Sequence, residues 1–413
     1  MKTGIPTANG EKGGSLAGRV CRSFWPLDSG ELLTAARRKT GLDDFGEPPV
    51  EPALSALTRS LEEEAELHPR GRFLMRAHLG GLLTTRLRLA RAWSGQPWAA
   101  ASPVPRPIFI TGMPRSGSTF LHELLTQDAD YRAPRVWEVM VPVEAMEPDR
   151  GWRDTRVWKT AACLWCFRCL VRQADAIYPL RARTPQECVA IQSYTLMAEE
   201  FVTSCRVPGY QAFLRASDLR PVYEWQKRFL QHLQGPHPGK RWLLKSPDHV
   251  FGLDALFSVF PDALIVQTHR DPLEVLRSMI HLASVLQGLY ARPGCREALA
   301  ERESQALFSA MERFVQFRDA HPGLENQFVD VNYTELVADP LAVIRRIHGQ
   351  FGIPLTETTV AKMRQLARSR ARYPGRQSVP TLAEAGLDVP AQAGRFQGYC
   401  RRFGITCQQA GGR

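Results

Sequence analysis

The chain has 413 residues, 44% of them hydrophobic, enough to bury one sizeable core with a helical extension. Its 53 Lys and Arg against 42 Asp and Glu give a formal net charge of +11, which favours an anionic ligand. Nucleic acid is not the expected partner, because the arginines spread along the chain and form no stripe with interleaved aromatics; a membrane span is excluded, because no uninterrupted apolar run is long enough.

The opening residues Met1 to Pro6 lack an apolar signal core, so cytoplasmic residence is expected. Residues 28–70 carry an acidic amphipathic run, and between Gly71 and Trp93 the residues Leu79, Leu82, Leu83, Leu87 and Ala90 share one helical face. This predicts a helical extension over residues 1–100. The proline-rich joint Gln96 to Pro107 then leads into an α/β core over residues 101–360. There Ile108-Phe109-Ile110 predicts a buried strand, Gly112 to Gly117 a turn, and Ser118 onward a helix. The two glycines keep the spacing of a Walker-type phosphate loop, but Ser118 stands where that loop carries its lysine, and the cation is Arg115. A nucleoside triphosphatase or kinase would need that lysine with Mg²⁺, so the loop suits a smaller terminal charge.

Glu138 follows about two dozen residues later, in Arg135-Val136-Trp137-Glu138, either as a proton acceptor or as a carboxylate paired with Arg132 or Arg135. The insert over residues 150–235 reads as amphipathic helices placed to roof a site. It contains Cys163, Cys166 and Cys169, but Gln173 stands where a ferredoxin-type fourth ligand would be, so these read as small residues along one side of a helix. The nine cysteines, odd in number and scattered, fit a reducing compartment and suggest no disulfide framework. Trp242 to Leu244 and Leu264 to Val266 are continuous apolar runs of the kind parallel strands show when covered on both faces. Polar groups crowd their ends: Lys245, Ser246 and His249 after the first, His269, Arg270 and Asp271 after the second. Lysine is scarce, eight of the 53 cationic side chains, so Lys245 at the end of a buried strand stands out. Arg270 suits a bidentate phosphate contact and Ser278, eight residues on, adds a hydroxyl; the alternative is pairing of Arg270 with Asp271 or Glu274. Gln327 to Asn332 alternates as a strand, Tyr333 follows, and Leu341 to Phe351 shows a core-facing helical stripe. Over residues 361–413 a basic cluster, Arg364 to Arg376, precedes a packing face of Phe396, Tyr399 and Phe403.

Four blocks in this order, Pro-Arg-Ser-Gly, Trp-Glu, Lys-Ser-Pro-x-His and His-Arg-Asp-Pro, resemble the bacterial branch of the sulfotransferases that use 3′-phosphoadenosine 5′-phosphosulfate (PAPS), with distant similarity to the tyrosyl-protein and cytosolic branches. The resemblance implies a P-loop NTPase-like, doubly wound parallel sheet of about five strands. It also implies PAPS as donor, the bisphosphate PAP as product, no metal, and a hydroxylated small molecule or lipid as acceptor. By the same resemblance Arg115, Ser116, Gly117, Ser118 and Thr119 hold the 5′-phosphosulfate, Arg270 and Ser278 hold the 3′-phosphate, and Tyr333 lies near the adenine. Lys245 then faces the oxygen bridging phosphate and sulfate, and Glu138 is the base. The cytosolic branch uses a histidine instead, which keeps His249, His122 and His269 as alternatives, His249 having the best neighbourhood. The Arg364 to Arg376 cluster is expected either to reach the 3′-phosphate or to make a peripheral contact with an anionic membrane. A non-catalytic nucleotide-binding protein would keep the same fold.

Overall fold

The computed structural model describes residues 25–95, 102–143, 151–170, 180–235, 239–370 and 379–407. The opening residues Met1 to Pro6, the first part of the proline-rich joint and residues 371–376 of the basic cluster lie outside the described residues.

Helices α1 (Ser29–Thr40), α2 (Glu51–Glu63) and α3 (Pro69–Ser94) precede strand β1 (Ile108–Gly112), α4 (Ser118–Leu125), β2 (Tyr131–Arg132) and α5 (Val136–Met140). An excursion follows with α6 (Thr155–Leu170), α7 (Cys188–Gln192), α8 (Glu200–Ser204), α9 (Pro208–Ala216) and α10 (Arg220–Gln234). The chain returns through β3 (Arg241–Lys245), α11 (Leu253–Val259), β4 (Leu264–His269), α12 (Pro272–Tyr290) and α13 (Arg296–Ala320). It ends with β5 (Phe328–Asn332), α14 (Tyr333–Ala338), α15 (Pro340–Phe351), α16 (Glu357–Arg370) and α17 (Val389–Arg402).

The five strands form one parallel sheet in the order β2-β3-β1-β4-β5. Side chains alternate across a strand, and here both faces are apolar, which is why the strands read as unbroken hydrophobic runs. Phe109, Trp242, Leu244, Ile265 and Phe328 enter the larger core with the N-terminal helices, α10, α11 and α13. Ile108, Ile110, Leu243, Leu264, Val266, Val329 and Val331 face a smaller core closed by α4, α15 and α16. The chain leaves β1 toward β3 and β2, then returns to β4 and β5 on its other side. Strand order therefore reverses at β1, and the carboxyl ends of β1, β3 and β4 open onto one crevice.

The N-terminal helices share the larger core. A Cβ at Gly71 of α3 would sit 1.8 Å from the Tyr290 carbonyl oxygen, so only glycine lets α3 approach α12 this closely. Arg86 of α3 is fully buried; its Nε donates to the Phe45 carbonyl at 2.8 Å and its Nη1 to the Tyr194 carbonyl at 2.8 Å, while burial pushes its pKa down to about 9.

At the other end, Phe396 and Tyr399 are buried, and Phe403 stacks on His269 with 4.3 Å between ring centroids. One cysteine expectation is corrected here, because Cys400 and Cys407 form a disulfide. Gly404 in the left-handed region (φ 62) turns the chain after α17, the Ile405 amide donates back to the Cys400 carbonyl, and the two Cα atoms come within 6.4 Å. Spacing alone could not show that turn. Among the described residues no helix is long and apolar enough to cross a membrane.

Candidate functional site

The crevice is lined first by the loop between β1 and α4. Gly112 has φ 133, and a Cβ there would lie 2.3 Å from the Thr268 carbonyl oxygen, so β1 and β4 close on one another at a point no side chain fits. Arg115 is held at φ 65, a conformation that costs a non-glycine residue about 1 kcal/mol or more. Ser116 is fully buried: its amide donates to the Met113 carbonyl at 3.3 Å, its Oγ bonds the same carbonyl, and it lies 2.6 Å from Thr268 Oγ1. Both polar groups of Ser116 thus shape the loop. Gly117, left-handed at φ 91, caps α4 without a side chain, and the N-terminal amides of α4 have no residue ahead of them in the helix to bond. Ser118 is buried at the first helical position, and Thr119 follows it. The loop is an anion nest at a helix start.

Three distant segments meet at its mouth. Arg115 Nε donates to Ser278 Oγ at 3.2 Å, and Arg270 Nη1 donates to the Arg115 carbonyl at 2.9 Å. The Arg270 guanidinium lies over the Tyr333 ring at 4.3 Å, and a Cβ on Gly117 would be only 2.9 Å from that ring. Arg270 also faces Glu274 at 3.6 Å. Burial, and then the charge of Arg270, push the Arg115 pKa below its ordinary value. Two guanidiniums held this close repel one another, and an anion between them relieves that repulsion.

Lys245 ends β3 on the side of the sheet that α4 covers. Its Nζ donates to Thr119 Oγ1 at 3.2 Å and forms a buried ion pair with Glu187. Glu187 is the residue the sequence reading left out. It caps α7 at the end of the segment over residues 180–187, which is laid against α5 by backbone bonds: the Val136 amide to the Thr184 carbonyl and the Trp137 amide to the Ala182 carbonyl, each 3.0 Å. Its only sequence signal was Thr-Pro-Gln-Glu ahead of a short apolar run, a helix-start pattern that does not say where the helix start will lie.

Glu138 is buried elsewhere in the same wall. It accepts from Arg132 Nη2 at 2.8 Å and from the Arg135 amide at 2.8 Å, closing a capping box on α5. The histidines are likewise engaged. His249 is in the core, its Nδ1 3.0 Å from the Tyr223 hydroxyl and its ring edge-on to Phe109, and burial pushes it down to about 3. His122 lies 3.3 Å from the Leu243 carbonyl and is pushed down to about 3 by burial and then by Lys245. His269 bridges Tyr399 (2.6 Å) and Asp330 (2.8 Å), which ties the end of β4 to α17. Asp248, bonded by Ser246 Oγ at 3.1 Å, is pushed up to about 8 by burial and then by the charges of Glu199 and Glu187. The arrangement therefore offers an anion nest, a pair of cations beside it, and one ammonium–carboxylate pair at its edge.

A profile described as the sulfotransferase family matches residues 107–357. Over 278 residues the chain is 26% identical to the omega-hydroxy-beta-dihydromenaquinone-9 sulfotransferase Stf3 of Mycobacterium tuberculosis (strain CDC 1551 / Oshkosh), a match covering 65% of this chain and 68% of that one. The crystal structure of sulfotransferase STF9 from Mycobacterium avium superposes with a TM-score of 0.83 at 26% identity, covering 92% of this chain and 98% of that one. Sulfotransferase STF1 from Mycobacterium tuberculosis H37Rv superposes with a TM-score of 0.75 at 30% identity, covering 90% and 98%.

Proposed function

This chain belongs to the sulfotransferase family, and we propose that it moves a sulfuryl group from PAPS to the hydroxyl of an apolar small molecule or lipid. The observation that carries the donor assignment is the convergence of Arg115, Arg270, Ser278 and Tyr333 at the mouth of the loop, where Arg115 meets partners 155 and 163 residues further along the chain. A nucleotide with phosphate at both 3′ and 5′ positions satisfies both parts of that arrangement, the nest and the two guanidiniums. The amides of Gly117 to Thr119 and Arg115 bind the 5′ end; Arg270 and Ser278 bind the 3′-phosphate; Tyr333, already under Arg270, borders the base.

The donor supplies an activated sulfuryl group on a phosphate leaving group. Glu187 takes the acceptor proton, the acceptor oxygen forms the new O–S bond, and the S–O bond to phosphate breaks, leaving PAP and a sulfate ester. Lys245 Nζ and Arg115 hold the negative charge that gathers on the leaving phosphate, so the step requires no metal. Glu187 is preferred to Glu138 as base because it already faces Lys245, whereas both oxygens of Glu138 are used by Arg132 and the Arg135 amide. The low pKa of His249 and His122 makes either a poor proton acceptor. Alignment of acceptor and donor contributes on the order of 7 to 11 kcal/mol in such displacements.

An apolar acceptor is supported by the relative Stf3, named for an omega-hydroxy-dihydromenaquinone. The reaction is placed in the cytoplasm, where the family resemblance puts donor synthesis. Incubation of the full chain with ³⁵S-labelled PAPS and a panel of hydroxylated quinols, fatty alcohols and phenols tests the reading: labelled ester from an apolar member supports it, and no transfer to any member contradicts it.

A further inference from the structure

His269, the last residue of β4, is in register with Asn332, the last residue of β5. The residues that follow them are Arg270 and Tyr333, the guanidinium and ring that meet beside the donor loop. Whatever fixes the His269 imidazole therefore fixes the strand end from which Arg270 leaves. That imidazole is buried. Asp330 holds its Nε2 at 2.8 Å and is itself bonded by Arg318 Nη1 at 3.2 Å. The other contacts come from the C-terminal end of the chain: the Tyr399 hydroxyl lies 2.6 Å from Nδ1, and the Phe403 ring stacks on the imidazole. Tyr399 and Phe403 also touch one another, with 4.8 Å between centroids.

These contacts depend on the end of a helix. The last carbonyls of a helix have no partner further along it, so a terminal turn frays unless something closes it. Phe403 follows Arg402, where α17 ends. Three links close the turn: the Ile405 amide on the Cys400 carbonyl, Arg402 on Asp319 at 2.6 Å, and the disulfide between Cys400 and Cys407. The ion pair is about half exposed on both sides and contributes little. The disulfide is the covalent link, and it sits where a thiolate can reach it: Cys400 is buried, but Cys407 is half-buried beside exposed Thr406. In the cytoplasm, where the reaction is placed, disulfides are seldom permanent, and those that form are usually catalytic or redox-sensing.

We propose that Tyr399 and Phe403, held by the bond between Cys400 and Cys407, position Arg270 for the 3′-phosphate, so that the thiol state of these two cysteines sets how tightly the donor is bound. A dithiol reductant supplies two electrons and two protons. The S–S bond breaks, Cys400 and Cys407 become thiols, and the dithiol closes to a disulfide. The freed turn then frays, Phe403 leaves the imidazole, and Arg270 loses its fixed approach to the phosphate. The nest that takes the 5′ end is built on a different strand and is untouched. The donor part of this proposal rests on the reaction proposed above.

The test is calorimetry of the full chain with PAP and with adenosine 5′-monophosphate, before and after treatment with dithiothreitol. Purified in air, the chain is expected to alkylate two fewer thiols when denatured before reduction than after it; equal counts overturn the proposal. Reduction should weaken PAP by about five- to tenfold while the monophosphate stays within about twofold, and reoxidation should restore the difference. C400A/C407A should bind both nucleotides like the reduced parent and ignore dithiothreitol, and Y399F should lose part of the PAP preference with the disulfide intact. A merely structural role would weaken both nucleotides alike, and that result overturns the proposal, as does a C400A/C407A variant that still responds to dithiothreitol. A PAP preference that survives reduction overturns this proposal alone, whereas an oxidised parent with no PAP preference overturns the donor reading beneath it.

Discussion

The proposed donor side and the proposed acceptor side of the crevice are built in different ways. The donor side is made of short contiguous blocks at the ends of neighbouring parallel strands: the loop after β1, Arg270 after β4 and Tyr333 after β5. The acceptor side is made by an excursion that leaves after α5 and returns at Glu187, held by backbone bonds between residues 134–137 and 182–186. A sheet fixes where its strand ends go, so a motif there carries its own address. An excursion places its residues only after it has folded back. Donor recognition can therefore be shared across a fold while acceptor choice varies.

The largest expected effects fall where the two sides touch. Lys245→Ala should lower kcat by about 10³-fold while PAP affinity stays within about threefold of the parent. Glu187→Gln should lower kcat by roughly 10²- to 10⁴-fold, again with PAP binding kept. Single-turnover rates together with calorimetry measure both; near-normal turnover in Glu187→Gln would return the base to another group and blur the division between the sides.

Arg270→Ala tests the donor side alone. The loss of a bidentate phosphate contact should weaken PAP by about 30- to 100-fold, roughly 2 to 3 kcal/mol, with a much smaller effect on kcat at saturating donor.

Glu138→Gln should separate a structural carboxylate from a chemical one. Removing the charge opposite buried Arg132 is expected to cost about 1–3 kcal/mol of stability, read from denaturant midpoints, while kcat changes less than about tenfold. A kcat loss as large as that of Glu187→Gln would contradict the assignment.

The smallest effect concerns pH. Asp248 is held up to about 8 in the folded protein against 3.8 ordinarily, so between those values the folded state binds the proton the unfolded state has released. Its contribution to stability is complete below about pH 3.8 and is lost as pH rises through 8. Asp248→Asn should flatten the fall of melting temperature between pH 4 and 8 and gain a few °C at pH 8; a slope unchanged from the parent would show that Asp248 does not carry the dependence.

The sequence displayed the parts that local chemistry determines. Continuous apolar runs gave β1, β3 and β4; Gly112 and Gly117 gave the turn; the scarcity of lysine marked Lys245; and Phe396, Tyr399 and Phe403 marked the packing side of α17. What it could not display depended on distant chain. Sequence left Glu138 open between a proton acceptor and a carboxylate paired with Arg132 or Arg135, and only the folded chain shows Arg132 and the Arg135 amide on its two oxygens. Nor could sequence show that the Ser116 hydroxyl turns inward to Met113 and Thr268. Glu187 sat outside every motif, because its position is set by the return of residues 180–187 to α5. The disulfide needed the turn at Gly404 before two scattered cysteines could meet.

The central claim is that the loop after β1 and the guanidinium of Arg270 grip two ends of one nucleotide. Calorimetric titration of the parent and of Arg270→Ala with adenosine 3′,5′-bisphosphate and with adenosine 5′-monophosphate tests it most directly. The account predicts that the bisphosphate binds the parent about 30-fold more tightly or better, and that most of this preference disappears in the variant. Equal affinity of the parent for the two nucleotides would contradict it.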